Sequence, residues 1–506
     1  MIKTTTKINN KIKFMLNDKL FFVEKEIADT TLLQWLRENQ KLTGSKEGCA
    51  EGDCGSCSII IGKVDQKGKI KFSSINACII YLPMIDGCSI RTVEGVSGPK
   101  NQLHPVQVSL VKSHGSQCGF CTPGFVISLY SGWLNNINWS IQNIENLLCG
   151  NLCRCTGYGP IVEAATNLKS ATVPKWEADR KKVESKFIKE NFSKTSLYYQ
   201  YKNTSFFAPV KKKEVGYLLN TKKNCLILSG GTDIGLWTTK QHKKISKFIY
   251  LNKVNDLNKI IENKNGFNIF SSVTHETAMN TLSLHYPALG EIWRRFGSAQ
   301  VRSSGTVCGN IANGSPIGDL APAFLSLDSS LTLNNNNRKR KIKLHKFFVS
   351  YGLQDIKKEE WIEYLFLPKL KTNQFFSCYK ISKRFDQDIS AVMGAFCINI
   401  NKTIISRARV AFGGMDAIPK RALNLEKSLI GTDILKGISE KQCKNLYNDF
   451  TPISDMRGSA HYRMETSINL LKKFFFELKN KAEVNLAGNS SFIFKENNIK
   501  HSRLIR

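Results

Sequence analysis

The pattern of apolar and polar residues near the N-terminus predicts a β-hairpin followed by one helix. Residues 11–16 and 20–23 have strand-like apolar runs, and Asn17-Asp18 between them is a turn signal. Asp29-Thr30 then offers an N-cap for a helix ending near Asn39, with leucines repeating along one face. Strands are predicted next at residues 58–64 and 69–74. Together these elements describe a small sheet that carries a single helix.

Helix-start signals dominate between residues 105 and 170. Pro105, Thr122-Pro123, Ser140 and Pro160 each stand where a short helix is expected to begin. Four short helices of this kind predict a bundle. Residues 171–200 carry mixed charges with little apolar pattern, so they are predicted to form a surface linker.

The remainder of the chain alternates strands with helices. Residues 225–228 form a buried-type strand, and the alternation continues to about Leu367. A last segment has strands predicted at 376–381, 391–400 and 404–412 and helices at about 421–429 and 456–478. The tail beyond Ala487 is polar and basic and is predicted to be disordered.

Length, charge and hydropathy narrow the kinds of protein that this chain can be. A chain of 506 residues is too long for one core, so several domains are expected. The net charge of +32 is spread along the whole sequence without a recognition motif, which does not favour nucleic-acid binding. Neither an apolar run of membrane-spanning length nor a secretory signal is present, so a cytoplasmic protein is expected.

Cysteines carry the strongest chemical signal. Ten of the fifteen lie between Cys49 and Cys155, and eight of these form two sets of four. The first set, which we call the first quartet, has the C-x4-C-x2-C…C spacing of a plant-type [2Fe-2S] cluster. The second set, the second quartet, combines a C-x2-C pair with a C-x-C pair, each at a helix–loop junction, and predicts a second, buried cluster. The predicted metal ligands are Cys49, Cys54, Cys57 and Cys78 in the first quartet and Cys118, Cys121, Cys153 and Cys155 in the second.

Two other uses of these cysteines fit less well. A disulfide framework is not expected in a long chain without a secretory signal. Zinc suits paired C-x2-C motifs, but a distant fourth cysteine and a C-x-C pair match zinc spacings poorly. Cys88 and Cys149 lie outside both quartets and are interpreted as ordinary small buried residues.

Two glycine-containing loops suggest a flavin site. Gly230-Gly231-Thr232 follows an apolar strand, and its backbone amides can cradle a pyrophosphate. It is not the G-x-G-x-x-G of a Rossmann dinucleotide site. A second loop, residues 303–319, is rich in hydrogen-bond donors and tight turns. One-electron clusters need a partner that converts them to two-electron chemistry, and a flavin does so.

With these residues identified, the chain resembles the small subunits of bacterial xanthine dehydrogenases, in the molybdenum hydroxylase family. The resemblance runs from about Ile12 to Glu477. It rests on Leu42-Thr43-Gly44, Gln117-Cys118-Gly119-Phe120-Cys121-Thr122-Pro123-Gly124, Gly150-Asn151-Leu152-Cys153-Arg154-Cys155-Thr156-Gly157-Tyr158, Ser315-Pro316-Ile317-Gly318-Asp319, Pro419-Lys420-Arg421-Ala422 and Ser454-Asp455-Met456-Arg457.

The resemblance implies an α+β multidomain fold. Residues 1–95 would form a β-grasp [2Fe-2S] ferredoxin domain and residues 96–172 a four-helix [2Fe-2S] bundle. A linker at 173–198 would precede a PCMH/VAO-type FAD-binding domain at 199–370. A C-terminal α+β domain of the carbon monoxide dehydrogenase flavoprotein type would occupy 375–485, followed by a tail at 486–506.

The resemblance also assigns roles to residues. The first quartet would hold the cluster nearer the flavin, and the second would face a molybdopterin cofactor held by a separate large subunit, with Gln117 near that interface. No hydroxylating catalytic residue is expected in this chain. FAD would bind through Ile227, Leu228, Ser229, Gly230, Gly231, Thr232, Asp233, Ile234, Gly235, Phe296, Thr306, Asn310, Asp319 and Ile389.

The function implied is electron transfer from molybdopterin through two [2Fe-2S] clusters and FAD to NAD+. The complete enzyme, with two copies of each subunit, would oxidise hypoxanthine and xanthine to urate in purine catabolism. Two alternatives stay open. The same role in an aldehyde or nicotinate-like N-heterocycle hydroxylase is possible, because substrate choice lies in the absent subunit. A redox-sensing nucleic-acid-binding protein would use the positive charge but leave both flavin-type loops unexplained.

Overall fold

The computed structural model describes residues 8–65, 67–335 and 338–480, which divide into two compact units. Of the described residues, the first unit contains those up to Lys259 together with the segment Gly297–Thr306, and the second contains Ile260–Phe296 and those from Val307 to Asn480. The segment predicted as one flavin domain, 199–370, therefore contributes to both units.

The first unit begins with a five-stranded sheet. In order across the sheet, its strands are β3 (Lys19–Val23), β2 (Ile12–Leu16), β6 (Ser89–Arg91), β4 (Ser58–Val64) and β5 (Ile70–Asn76). The predicted hairpin is confirmed: β2 and β3 pair antiparallel, and Asn17 and Asp18 have the positive φ angles of 45° and 68° that a two-residue hairpin turn favours. The predicted helix is also present, but Thr31 is its N-cap, in a capping box with Gln34. The elements are β1 Ile8–Asn9, β2 Ile12–Leu16, β3 Lys19–Val23, α1 Leu32–Gln34 with a π-helical turn Trp35–Asn39, β4 Ser58–Val64, β5 Ile70–Asn76 and β6 Ser89–Arg91.

Four helices follow, as predicted, and each starts at its expected signal. His104 caps the first with Pro105 at its first position, and Ser140 caps the third. The helices are α2 Pro105–Lys112, α3 Thr122–Leu134, α4 Ile141–Leu148 and α5 Gly159–Asn167. Almost every residue of α3 is buried, so this helix is the centre of the bundle.

The predicted linker is wrong, because its central residues form a helix, α6 Lys175–Asn191. Its inner face carries the carboxylates of Glu177 and Glu184 beside Phe187 and Ile188. Both carboxylates bond the buried guanidinium of Arg91, with Nη1 to Glu177 and Nε to Glu184 at 2.7 Å each. A charged inner face has no apolar periodicity, so the sequence pattern concealed this helix.

A second sheet completes the first unit. In order across the sheet, its strands are β1, β7 (Ser196–Tyr201), β8 (Thr204–Ala208), β10 (Lys247–Tyr250) and β9 (Leu226–Leu228). Its strands share one continuous apolar core with the first sheet and the helix bundle. The remaining elements of this unit are β7 Ser196–Tyr201, β8 Thr204–Ala208, α7 Lys212–Thr221, β9 Leu226–Leu228, α8 Ile234–Thr239, β10 Lys247–Tyr250 and, from the later segment, α11 Ala299–Ser304.

The second unit contains a five-stranded sheet, β11-β12-β17-β13-β14, a small hairpin of β15 and β16, and a four-stranded sheet, β18-β19-β20-β21. The long helix α17 packs its apolar side against the four-stranded sheet. The elements are β11 Ile260–Asn263, β12 Gly266–Phe270, α9 His275–Leu282, α10 Pro287–Arg294, α12 Val307–Asn313, α13 Leu320–Ser326, β13 Ser330–Asn334, β14 Lys339–Lys343, β15 Phe348–Ser350, β16 Leu353–Gln354, β17 Trp361–Pro368, β18 Gln374–Ile381, β19 Val392–Asn401, β20 Ile404–Gly413, β21 Lys420–Arg421, α14 Leu423–Leu429, α15 Glu440–Cys443, α16 Leu446–Asp449 and α17 Ala460–Asn480.

The three predicted C-terminal strands correspond to β18, β19 and β20 within two residues at each end. The last helix starts four residues later than predicted, because Asp455 and Gly458 form a turn ahead of it. The predicted disordered tail lies outside the described residues. Across the parts of the chain that the structure describes, no helix combines the length and apolar character needed to cross a bilayer.

The buried ion cluster of Arg91 yields a stability prediction. Replacing Arg91 with Met removes the buried cation that Glu177 and Glu184 share, and Glu177 keeps the more distant Arg180, whose Nη1 lies 3.4 Å from its carboxylate. Breaking a buried pair in this way costs about 3–5 kcal/mol of unfolding free energy. Urea denaturation followed by tryptophan fluorescence measures this loss.

The matched control is Lys182→Met on the same helix. Lys182 pairs with Asp179 on the surface, where both side chains are more than half exposed. An exposed pair contributes about 1 kcal/mol or less, so this variant is expected to resemble the wild type. Equal destabilisation by the two substitutions would contradict the role given to Arg91.

Candidate functional site

The first quartet lies where the loop after α1 enters β4 and where β5 ends. Cys57 immediately precedes β4, and Cys78 lies in a tight turn directly after β5. Both are buried, and their sulfur atoms are 3.3 Å apart. The thiol of Cys49 is in hydrogen-bond contact with the thiols of both Cys54 and Cys78. The structure thus brings the four predicted residues together.

Backbone amides point at the sulfur of Cys49. The N–H groups of Glu51 and Cys54 donate to it, with nitrogen–sulfur distances of 3.5 and 3.4 Å. The thiol of Cys54, followed by that of Cys78, holds the pKa of Cys49 well below its ordinary value. An environment rich in N–H donors stabilises a thiolate, which is the form that binds metal.

Glycines allow the loop to wrap this tightly. Gly52 and Gly55 have positive φ angles of 80° and 72°, which side chains other than glycine rarely adopt. A Cβ on Gly48 would lie 2.9 Å from the sulfur of Cys54. The C-x4-C-x2-C loop therefore depends on these glycines for its path around the sulfur atoms.

The second quartet joins two helix–loop junctions of the bundle. Cys121 directly precedes α3, while Cys153 and Cys155 lie between α4 and α5. The thiols of Cys121 and Cys153 are in hydrogen-bond contact, and those of Cys118 and Cys155 form the other pair. Burial and the neighbouring Cys153 thiol raise the pKa of Cys121 to about 12.

The expectation that the second quartet is buried is only half right. Cys121 and Cys153 are partly covered, but Cys118 and Cys155 are exposed. Apolar side chains close to them in the sequence are exposed too, with Phe120 at 47% and Tyr158 at 39% exposure. Gln117 lies on the same exposed loop. One end of this quartet therefore opens onto a partly apolar surface.

The two quartets are joined by direct contact of their loops. The N–H of Leu152 donates to the carbonyl oxygen of Cys54 at 3.0 Å. Leu152 precedes Cys153, so one backbone hydrogen bond connects a cysteine of the first quartet with the neighbour of a cysteine in the second.

The predicted pyrophosphate loop follows β9 as expected. At Gly230 the loop lies against the segment Gly297–Thr306, since a Cβ there would be 2.6 Å from the Cα of Gly305 and 3.0 Å from the amide nitrogen of Thr306. Gly231 has φ of +78°. The structure thus brings the predicted residues of the Ile227–Gly235 loop beside Thr306, with backbone close to backbone.

Helix α8, at the end of this loop, lies on the first cysteine loop. The hydroxyl of Thr239 donates to the carbonyl oxygen of Ala50 at 2.7 Å. The hydroxyl of Tyr81 contacts the carbonyl oxygen of Ile234 at 3.0 Å. A Cβ on Gly235 would lie 2.5 Å from the carbonyl oxygen of Ile79, the residue after Cys78. The glycine loop and the first quartet are therefore neighbours.

The other predicted flavin residues lie in the second unit. Asp319 is buried, and its two carboxylate oxygens accept from Lys380 at 2.6 Å and from Ser390 at 2.5 Å. These two residues flank the loop that carries Ile389, which is 42% exposed. Asp319 therefore holds that loop through its hydrogen bonds to Lys380 and Ser390.

Phe296 and Asn310 occupy separate positions in the same unit. The ring of Phe296 packs on His275 with centroids 4.5 Å apart. Asn310 lies in α12.

Several residues with structural roles at these sites carried no sequence signal. Thr239 and Tyr81 join the glycine loop to the first quartet, and Lys380 supports Asp319. These contacts join residues far apart in the sequence, and a single sequence does not display such pairings.

Both quartets have the donor set that a [2Fe-2S] cluster takes, which is four cysteines shared between two irons. Over residues 8–65, 67–335 and 338–480, no group of three or more His, Cys, Asp or Glu residues is arranged to hold a single metal ion. Each quartet supplies the four thiols that such a cluster takes, so the residues present fit the predicted clusters.

Sequence profiles of four protein families match successive parts of the chain. The 2Fe-2S iron-sulfur cluster binding domain matches residues 14–83, and a [2Fe-2S] binding domain matches 92–166. The FAD binding domain in molybdopterin dehydrogenase matches 200–370, and the CO dehydrogenase flavoprotein C-terminal domain matches 377–478. Two [2Fe-2S] domains and an FAD-binding domain are thus present in one chain.

Similar curated proteins are xanthine dehydrogenases. The chain is 26% identical to that of Dictyostelium discoideum, over 97% of this chain and 42% of the relative. It is 29% identical to that of Oryza sativa subsp. japonica, over 91% and 39%. The xanthine dehydrogenase/oxidase of Rattus norvegicus is 27% identical, over 93% and 39%. The chain therefore spans about two fifths of the length of these relatives.

Solved structures share the fold of part of the chain. Reconstituted CO dehydrogenase from Oligotropha carboxidovorans superposes with a TM-score of 0.51 at 19% identity, covering 56% of this chain and 99% of that one. Quinoline 2-oxidoreductase from Pseudomonas putida 86 superposes with a TM-score of 0.50 at 18% identity, covering 56% and 99%. The four domain matches in this order, together with the relatives along nearly the whole chain, identify it as a member of the molybdenum hydroxylase family.

Proposed function

We propose that this chain is the electron-transfer subunit of a xanthine dehydrogenase. It would take electrons from a molybdopterin-binding partner subunit and deliver them to NAD+ during oxidation of hypoxanthine and xanthine to urate. When bound, the two clusters would supply one-electron steps, and FAD would convert these to the two-electron chemistry of the nicotinamide. The chain's own residues bind these groups and set their order.

One observation carries the proposal. In the first unit, the loops of both quartets and the glycine loop form an uninterrupted series of contacts. Leu152 donates to Cys54, and Thr239 of the helix after the glycine loop donates to Ala50 beside Cys49. In this series the first quartet lies between the second quartet and the glycine loop, as a route from partner to flavin requires.

The eight cysteines would be the cluster ligands: Cys49, Cys54, Cys57 and Cys78 for one cluster and Cys118, Cys121, Cys153 and Cys155 for the other. FAD would bind through the amides of the Ile227–Gly235 loop and Thr306, with further contacts from Phe296, Asn310, Asp319 and Ile389. Since Asp319 already bonds Lys380 and Ser390, its carboxylate would act mainly by fixing the loop of Ile389.

The partner subunit would cover the exposed end of the second quartet. Cys118 and Cys155 are exposed there among Phe120 and Tyr158, and Gln117 lies on the same loop. A partly apolar surface at a redox site suits a permanent protein–protein contact, which removes apolar area from water. The overall net charge of +32 would attract the anionic dinucleotide acceptor.

The first test counts clusters. The purified chain is expected to hold about four irons, two per cluster. Cys57→Ser is expected to remove one of two cluster EPR signals and about half of the iron, and Cys121→Ser is expected to remove the other signal.

Cys149→Ser is the matched control, because Cys149 lies near the second quartet but outside it. It is expected to keep both EPR signals. Loss of both signals in either quartet variant, or a wild-type chain without iron, would contradict the assignment of the two quartets.

The second test concerns the flavin. Gly230→Ala places a methyl group 2.6 Å from both the Cα of Gly305 and the carbonyl oxygen of Ser304, which are backbone atoms without room to move. We expect loss of the flavin absorbance and fluorescence with both cluster EPR signals retained.

Gly159→Ala is its control, because a Cβ at that position meets no atom within 4 Å. Retention of stoichiometric flavin by Gly230→Ala would show that this loop does not form part of the flavin site.

The third test identifies the substrate. The chain, purified from its native cells, is expected to bring a molybdenum-containing polypeptide with it. This complex is expected to form urate from xanthine and to reduce NAD+, whereas the separated chain should only oxidise NADH with artificial acceptors. Activity on aldehydes or nicotinate but not on xanthine would move the assignment to another hydroxylase of the family. A complex without molybdenum would refute the proposed partner.

A further inference from the structure

A short helix reaches the cysteine loops from a distant part of the chain. Helix α11 belongs to the segment Gly297–Thr306, which lies in the first unit although the residues on both sides of it lie in the second. Its residue Gln300 is fully buried. An amide side chain loses solvation when it is buried, so its hydrogen bonds decide whether it is tolerated.

The Nε2 atom of Gln300 contacts three oxygens from different elements. These are the hydroxyl of Ser58 at 3.3 Å, the hydroxyl of Ser128 at 3.0 Å and Oδ1 of Asn151 at 3.2 Å. The Ser58 hydroxyl itself donates to the carbonyl oxygen of Gly55, and the Ser128 hydroxyl donates to Asn151. With their protons committed, both hydroxyls accept from Gln300.

Each contact leads to a cysteine loop. Ser58 directly follows Cys57 of the first quartet. Asn151 is two residues before Cys153 of the second, and its Nδ2 is 3.4 Å from the carbonyl oxygen of Gly55. Gln300 therefore bonds one residue in each of the two loops that the Leu152–Cys54 hydrogen bond joins, Ser58 in the first and Asn151 in the second.

The two loops pack tightly around Gln300. A Cβ on Gly150 would lie 2.2 Å from Oε1 of Gln300, and a Cβ on Gly55 would lie 2.1 Å from the carbonyl oxygen of Gly150. Backbone packs on backbone here, and the Gln300 amide occupies one side of the contact. Among the described residues, Oε1 of Gln300 has no hydrogen-bond partner, so the donating Nε2 supplies the polar interactions.

We propose that Gln300 is a positioning residue that holds the two cysteine loops in register through Ser58, Ser128 and Asn151 and thereby sets the magnetic and electronic coupling between the two clusters. The proposal rests on the proposed function, since it requires a cluster on each quartet. It adds that a residue from the flavin-binding part of the chain controls a contact between the two cluster domains.

The test uses the full chain with its clusters and flavin. Gln300→Met keeps the length of the side chain but removes the donor. Fully reduced protein is studied by low-temperature EPR, where two nearby paramagnetic clusters split each other's signals, and the dipolar splitting falls with the cube of their separation. We expect Gln300→Met to retain both clusters while losing part of the splitting and slowing electron exchange between the clusters.

Gln442→Met is the matched control. Gln442 also donates through Nε2, to the carbonyl oxygen of Ser428 at 2.8 Å and the hydroxyl of Thr432 at 2.7 Å, but it lies in the second unit. This variant removes a donor with two partners and is expected to leave the EPR splitting at its wild-type value. This control separates general destabilisation from an effect on the cluster contact.

Ser128→Ala provides a second, milder variant, because it removes one hydroxyl that bonds both Gln300 and Asn151. Ser128→Ala is expected to reduce the EPR splitting, as Gln300→Met does. If Gln300→Met does not fold, the splitting of Ser128→Ala tests the proposal. Wild-type splitting in the folded variants would overturn the role of Gln300. A wild-type chain that lacks one cluster would instead refute the proposed function.

Discussion

The arrangement of the first unit depends on one close approach of backbone to backbone. The loop of the first quartet passes so close to its neighbours at Gly55 that a Cβ there would lie 2.1 Å from the carbonyl oxygen of Gly150, and a Cβ on Gly124 of α3 would lie 2.3 Å from the carbonyl oxygen of Gly55. Side chains at Gly55 or Gly124 would push these backbones apart, so glycine at both positions permits the hydrogen bond between Leu152 and Cys54. The relative position of the eight cysteines follows from this contact.

A second constraint is the charge that the core must accommodate. Arg91, Glu177 and Glu184 are all 1% exposed, so their burial is tolerated only because each charge has a partner. The cluster connects β6 with α6 and brings Tyr130 of α3 to the same point, since its hydroxyl donates to Glu177 at 2.8 Å. It thereby joins the first sheet, the bundle and the helix after it. The mixed-charge sequence of α6 reflects this role rather than exposure to solvent.

These two features also explain what could be predicted from the sequence. Turn residues and helix caps are local signals, and the hairpin at Asn17-Asp18 and the four bundle helices agree with them. Partners far apart in sequence are invisible to local patterns. Glu184 is 93 residues from Arg91, and Gln300 is 242 residues from Ser58. The linker prediction failed because the buried face of α6 is charged, and exposure of Cys118 was missed because spacing does not report burial.

The position of α11 in the chain has a consequence for biosynthesis. Ser58, Ser128 and Asn151 are made early, but the amide that binds all three arrives only with residue 300, after the first residues of the second unit. A nascent chain that ends before this point holds every cysteine of both quartets yet leaves the polar groups between them without their common donor. Completion of the cysteine-bearing unit must therefore wait until the ribosome has passed α11, which couples the maturation of this unit to synthesis of the flavin-binding segment.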